Sequence, residues 1–244
     1  MSLDIPTRTG KILLTSFPGE ALDGRTVLTH NRFAERLRAD DATLAIIDAE
    51  GGLLSNEALR NNLLGLARLG HAFGVPTVLG VSTRTKPGAL MRELVGLFGT
   101  DAVVRRAAGG FWDDAASRRA VCASGRHHLI VASLAPDFGL AAAALGARRD
   151  GFEVHAVLDA SAGAEEGAAR VALARMTAAG VNLTSWVAIL AELAATGVDT
   201  TGGNGAAAVR DNLDRYARER GPGKVAWADS LGADAFAVPN LAGR

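Results

Sequence analysis

The sequence predicts an α/β protein: a three-layer αβα sandwich around a mainly parallel six-stranded sheet. Three observations carry this. Short β-rich apolar runs alternate with helical stretches of 10–17 residues, which is the pattern of βαβ units. The runs are continuously apolar, as strands covered on both faces should be. Right-handed crossovers between such strands then place helices on both sides of the sheet.

The elements follow in order. "ATLAIID" (42–48) is the first strand, ending at an acid. "NEALRNNLLGLARLGHAFG" (56–74) repeats apolar residues at helical spacing and stops at a glycine. "VPTVLGVS" (75–82) is a strand, "GALMRELVGLFG" (88–99) a helix and "DAVVR" (101–105) the third strand. "DDAASRRAVCASG" (113–125) is a helix closed by glycine, and "HHLIVAS" (127–133) is the fourth strand. Pro136 suits the first turn of the next helix, where a missing N–H costs nothing. "FEVHAVLDA" (152–160) and "VNLTS" (181–185) are the last strands, with helices at 164–180 and 186–197.

These elements define a core domain over 40–197. Residues 1–39 form an N-terminal extension with a hairpin in "KILLTSFPGEALDGRTVLT" and a short helix in "NRFAERLRADD". Residues 198–244 form a glycine-rich link, a helix over "AAAVRDNLDRYARER" and a tail. Trp227, Phe236 and Val238 make that tail too apolar to be free, so it is expected to pack on the domain or on a neighbouring subunit.

Composition narrows the function. Lys+Arg and Asp+Glu both number 26, so no net charge draws the chain to nucleic acid or an anionic membrane. Cys122 is the sole cysteine, which excludes an intramolecular disulfide, and it reads as a small buried helix residue. No apolar run is long enough to span a bilayer or to act as a signal peptide, so the expected location is cytoplasmic. The histidines lack metal-ligand spacing, and no G-x-G-x-x-G follows a strand, so neither a metal nor another cofactor is expected.

In open parallel sheets, ligands bind outside the carboxyl ends of the strands. Those ends offer Asp48, the stretch Ser82 to Lys86, Arg105-Arg106, the turn from Ser133 to Gly139, and Asp159. An acid on the first strand facing a base on the third is the most suggestive pair, since a guanidinium keeps a carboxylate ionised and placed to accept a proton. Capping and structural ion pairing are the competing readings for these residues. Asp159 in particular reads as a turn or helix cap.

The motifs "LAIIDAEGGLLS" (44–55), "VPTVLGVST" (75–83), "GFWDD" (110–114), "SGRHHLIVAS" (124–133), "GARRDGFEVHAVLDASAG" (146–163) and "RMTAAGVNLTSW" (175–186) run in family order. Over roughly residues 40–200 the chain resembles the isochorismatase-like, or cysteine hydrolase, superfamily, and its YcaC-like branch in particular. The resemblance implies a hydrolase with an aspartate, a lysine and a cysteine. The aspartate falls on Asp48. The lysine falls on Arg105, or on Arg106 if the gap shifts by one. The cysteine falls on Gly139, so the nucleophile is absent. The resemblance also implies an oxyanion hole from the backbone N–H groups of Ala135 and Gly139, which needs no side chain.

The reading is therefore a hydrolase working through Asp48 and water on a small polar or anionic substrate with a C–N or vinyl-ether type bond. Arg105 holds Asp48, and Ala135 and Gly139 donate. Ser82 faces the substrate. Phe111 and Trp112 either wall the pocket or pack in the core. The alternative is a catalytically inactive ligand-binding or scaffold member of the same fold. Family members commonly form homo-oligomers, and the apolar tail gives a second reason to expect one.

Overall fold

The computed structural model describes residues 5–7, 10–12, 36–50, 56–84, 90–107, 109–134, 139–162, 166–195 and 204–220. Met1–Glu35 and Arg36–Arg244 are separate compact units. In the first, β1 (Ile5–Thr7) pairs antiparallel with β2 (Gly10–Ile12). This hairpin starts earlier than the one read from the sequence, most of which lies outside the described residues. The helix expected over 31–41 is not seen in its described part. Residues 36–38 are not helical, and Ala39–Asp41 form one 3-10 turn.

The second unit holds a six-stranded parallel sheet in the order β5-β4-β3-β6-β7-β8. Its strands are β3 (Ala42–Ile47), β4 (Thr77–Ser82), β5 (Val103–Arg106), β6 (His128–Ser133), β7 (Glu153–Val157) and β8 (Asn182–Thr184). The chain winds outward from β3 to β5, then returns to the other side of β3 through β6. That reversal makes the carboxyl ends of β3 and β6 the topological switch point.

Two cores sandwich the sheet. Leu44 and Ile46 of β3 face one, with α1 (Glu57–Ala72), α2 (Arg92–Phe98), α6 (Trp186–Ala194) and α7 (Asn204–Arg220). Ala45 and Ile47 face the other, with α3 (Ala115–Cys122), α4 (Gly139–Arg149) and α5 (Glu166–Ala178). Both faces of β3 are fully buried, which is why its sequence reads as an unbroken apolar run.

Local chemistry sets the helix ends. The Asn56 side chain accepts from the Leu59 N–H to start α1, and Gly74 leaves it at φ +63°. Asp114 accepts from Ser117 in the same way at α3. Asp159 accepts from the Trp186 N–H at 2.9 Å, at the N-terminus of α6, in keeping with its reading as a cap. The helix expected over 88–99 begins only at Arg92. Leu90 is bridged to Glu50, and the Met91 N–H donates to Ala49, so the preceding backbone is committed to the loop after β3. Asn61 and Asn212 exchange amide bonds to each other's carbonyls, fixing α7 against α1. No helix among the described residues is long and apolar enough to cross a membrane.

Candidate active site

Parallel pairing brings the ends of β3, β4, β5 and β6 to one edge. Asp48 follows β3 directly and has φ +55°, unusual for a residue with a side chain. Its N–H still donates to Gly80 on β4 at 2.7 Å, and its carbonyl accepts from Glu50 at 2.8 Å. The strand therefore ends in a tight, hydrogen-bonded kink at the acid itself. Such conformations cost of order 1–3 kcal/mol and persist where the surroundings over-determine them.

The carboxylate receives both arms of one guanidinium. Arg106 Nη1 donates to Asp48 Oδ1 at 2.9 Å and Nη2 to Oδ2 at 2.6 Å. The two side chains are only 11% and 10% exposed, so the fork is held largely out of water. Burial pushes the Asp48 carboxyl above its ordinary value. Arg106 opposes that rise, Glu50 adds to it, and the Ser82 backbone N–H opposes it.

The partner is thus Arg106, and the expectation of Arg105 is corrected. Strand alternation explains the difference. Val103 packs on the core containing α1 and Val104 on the one containing α3 and α4. Arg105 follows Val103 in phase and is exposed; Arg106 follows Val104. Residue 106 still belongs to β5, paired with Ser82, one residue beyond the strand end read from sequence.

Ser82 lies between the two charged strands. Its hydroxyl accepts from the Arg84 N–H at 3.2 Å and so shapes the turn, while its N–H acts on Asp48. Two residues earlier Gly80 allows a close approach: a Cβ there would stand 2.5 Å from two Phe111 ring carbons. Phe111 is 1% exposed and lies on the same face as Ser82, about two residues lower. It forms core beneath the site rather than a wall.

Trp112 likewise takes the core alternative of the two readings, at 3% exposed. Its ring covers Gly146 of α4, its Nε1 donates to Asp150 at 2.8 Å, and Phe152 meets it edge-on at 5.3 Å. Gly146 is about 10 Å along α4 from Gly139, toward the opposite edge of the sheet.

Gly139 opens α4 at the carboxyl edge, so its N–H is one of the N-terminal donors with no partner within the helix. Ala135 and Lys86 lie outside the described residues, as do Trp227, Phe236 and Val238. Ser133 is fully buried, and its N–H donates to Ser161 at 3.1 Å. Cys122 is exposed, which corrects its expected burial. The buried stripe of α3 runs through Ser117 and Val121, and Cys122 is one position off it. The next loop residue but one, Ser124, bonds Thr43 near the start of β3, so Cys122 sits at the edge away from Asp48. Among the described residues no group of three or more His, Cys, Asp and Glu side chains is placed to hold a metal.

Glu50 was missed by the sequence reading; it acts on Asp48 from two positions along the chain, where its N–H donates to the Asp48 carbonyl. Arg106 was left there as an alternative, and continuing the face alternation of the third strand would have selected it.

A family model described as "Isochorismatase domain" matches residues 60–188. The chain is 34% identical over 166 residues to "Probable hydrolase YcaC" of Escherichia coli, covering 65% of this chain and 80% of that protein. Among solved structures, it resembles YcaC from Pseudomonas aeruginosa, determined with hexane-2,5-diol and covalent acrylamide. There the TM-score is 0.67 and the identity 32%, with 77% of this chain and 96% of that one covered. The YcaC gene product of E. coli, described as an octameric hydrolase of unknown specificity, gives TM-score 0.67 at 31% identity, covering 80% and 97%.

Proposed function

Because the chain belongs to the isochorismatase family, we propose that it is a hydrolase using Asp48 and water, without a cysteine nucleophile. Its substrate is small and polar or anionic, with a C–N or vinyl-ether type bond. The observation that carries the reading is the forked Asp48–Arg106 pair at the switch point of the sheet. It supplies a fixed, desolvated carboxylate where the fold class binds ligands.

For a C–N bond the electrons balance as follows. Water attacks the carbonyl carbon as its proton passes to Asp48. The carbonyl oxygen takes up negative charge, which the donors implied by the family resemblance, the N–H groups of Gly139 and Ala135, would stabilise. Collapse expels the amine, which takes the proton back from Asp48 and leaves the acid product. Burial of Asp48 raises its basicity, which favours the first transfer. Arg106 holds the carboxylate in one orientation. As arginine stays protonated, it orients and carries no proton. For a vinyl ether Asp48 acts first as the acid.

Glycine at the nucleophile position and arginine at the lysine position favour the second reading, an inactive ligand-binding member. The deciding experiment assays the wild type and Asp48→Asn against a panel of small amides and vinyl ethers. Turnover in the wild type, reduced about 10²–10⁴-fold in the variant, is expected. Equal turnover in both would remove Asp48 from the mechanism, and no turnover in either would favour the binding reading. The octameric E. coli relative also supports reading this chain as a homo-oligomer.

A further inference from the structure

Strand β7 stops pairing with β6 before either strand ends. The register runs from His128 opposite Glu153 to Val131 opposite Ala156. The Glu153 N–H donates to the His127 carbonyl, and continuing that phase along the parallel ladder would set the Ser133 N–H against the Val157 carbonyl. The pairing has ended by then, and the side chain of Ser161 stands in for the rung. Its Oγ accepts from the Ser133 N–H at 3.1 Å and donates to the Val157 carbonyl at 2.7 Å. Ser161 is buried, so its hydroxyl is wedged between the two strand ends. The wedge has a local origin. Leu158–Ala160 form a 3-10 turn straight after β7, which brings residue 161 back to residue 157. A hydroxyl there can donate and accept at once. An alkyl side chain would leave the fully buried Ser133 without this acceptor for its N–H.

Ser133 stands just ahead of the turn over 135–139. Its carbonyl accepts from the Ala162 N–H at 2.9 Å, and the Leu134 N–H donates to the Ile47 carbonyl at 2.9 Å. Successive backbone groups before the turn are thus fixed from both sides of β6. Ser161 and Ala162 hold Ser133, and the residue before Asp48 holds Leu134. The spacing between the acid and the turn depends on both. The mechanism above requires Asp48 and the N–H groups of that turn to act on one substrate. A misplacement of about 1 Å can cost on the order of 10²-fold in rate.

We propose that Ser161 is a positioning residue: its hydroxyl, wedged between the carboxyl ends of β6 and β7, holds the start of the turn over 135–139 in register with Asp48. This rests on the hydrolase reading above. Ser161 acts through the Ser133 backbone and not on the substrate.

The test compares the full chain with Ser161→Ala, Ser161→Thr and a control, Thr43→Val. The control removes the hydroxyl bond between Thr43 and Ser124 at the opposite edge of the sheet. Hydrogen exchange read by mass spectrometry follows peptides over 129–140 and 42–49. Steady-state kinetics use the small amides and vinyl ethers of the panel above. Ser161→Ala should speed exchange over 129–140 by about tenfold or more and leave 42–49 unchanged. It should lower kcat by about tenfold or more with KM within about threefold, because misplaced donors lose transition-state binding first. Ser161→Thr keeps the hydroxyl and should restore both; if it does not fold, Ser161→Ala and the control decide. Thr43→Val should lower urea stability and leave kcat unchanged. Unchanged exchange in Ser161→Ala would overturn the wedge. Faster exchange with kcat no lower than in Thr43→Val would overturn the positioning role and leave the hydrolase reading intact. A folded Ser161→Thr that loses as much kcat as Ser161→Ala would also overturn it, since the hydroxyl is present. A wild type that turns over nothing would overturn both readings.

Discussion

Replacing Arg106 with Met keeps most of the aliphatic stem and removes the fork that holds Asp48. The carboxylate, 10% exposed, is then left without its cation. Breaking a buried pair in this way costs about 3–5 kcal/mol. The cost has a ceiling, because Asp48 can protonate instead. From an unfolded pKa of about 3.9, protonation costs about 1.4 kcal/mol per pH unit, or about 4 kcal/mol at pH 7 and about 1.5 kcal/mol at pH 5. The expected destabilisation is therefore about 3–4 kcal/mol at pH 7, shrinking to no more than about 1.5 kcal/mol at pH 5. Asp48→Asn in the Arg106→Met background should recover most of the pH 7 loss, since an amide needs no counter-charge. Urea unfolding of the four proteins of this cycle at both pH values measures each quantity. If the reaction uses Asp48 as base, the acid limb of kcat/KM should also move to higher pH, because losing the guanidinium disfavours the ionised carboxylate. A destabilisation that is equal at pH 5 and pH 7, and untouched by Asp48→Asn, would refute the electrostatic account and reduce Arg106 to packing.

Three further outcomes are expected. Gly80→Ala drives a methyl into the Phe111 ring and should cost about 1–3 kcal/mol in thermal or urea unfolding; Phe111→Leu in the same chain should return part of it. His155 is buried against His128, its Nε2 3.1 Å from His128 Nδ1, and burial and then the His128 charge push its pKa down to about 4. Its folded pKa is depressed, so the stability linked to its neutral form is present above about pH 6.5 and is lost as pH falls toward 4, by up to about 3 kcal/mol. His155→Gln should flatten unfolding free energy over that window, and an unchanged slope would count against the assignment. Alkylation with iodoacetamide should modify Cys122 and leave hydrolysis unaltered, because the sole thiol lies at the edge of the sheet away from Asp48; inhibition by alkylation would contradict a cysteine-free mechanism.

What the sequence made legible divides along physical lines. The four inner strands β3, β4, β6 and β7 were readable because each is covered on both faces or nearly so, leaving unbroken apolar runs such as "ATLAII" that only a doubly packed sheet requires. Asp48 was readable because it closes such a run with a charge. The choice between Arg105 and Arg106 was not settled there. It depends on which face of β5 each residue meets, and a strand end displaced by one residue reverses that answer. Trp112 shows a different limit. A large aromatic beside a glycine pair suits a pocket wall and a core equally well. What decided its place was Gly146, 34 positions later in the chain, whose missing Cβ makes room for the indole. The helix over 88–99 failed for a third reason: local periodicity favoured it, but Leu90 and Met91 had already spent their backbone groups on the loop after β3. That same loop carries Glu50 and ties the segment before α2 to the chain just past Asp48. The local rule that fails there borders the candidate site, where a kinked aspartate, a second carboxylate and a forked arginine meet. Conflict between local preference and tertiary demand is expected where a fold holds a charged group for use. On that argument, the bridge between Glu50 and Leu90 helps to hold the chain just past Asp48, where the arginine holds its side chain.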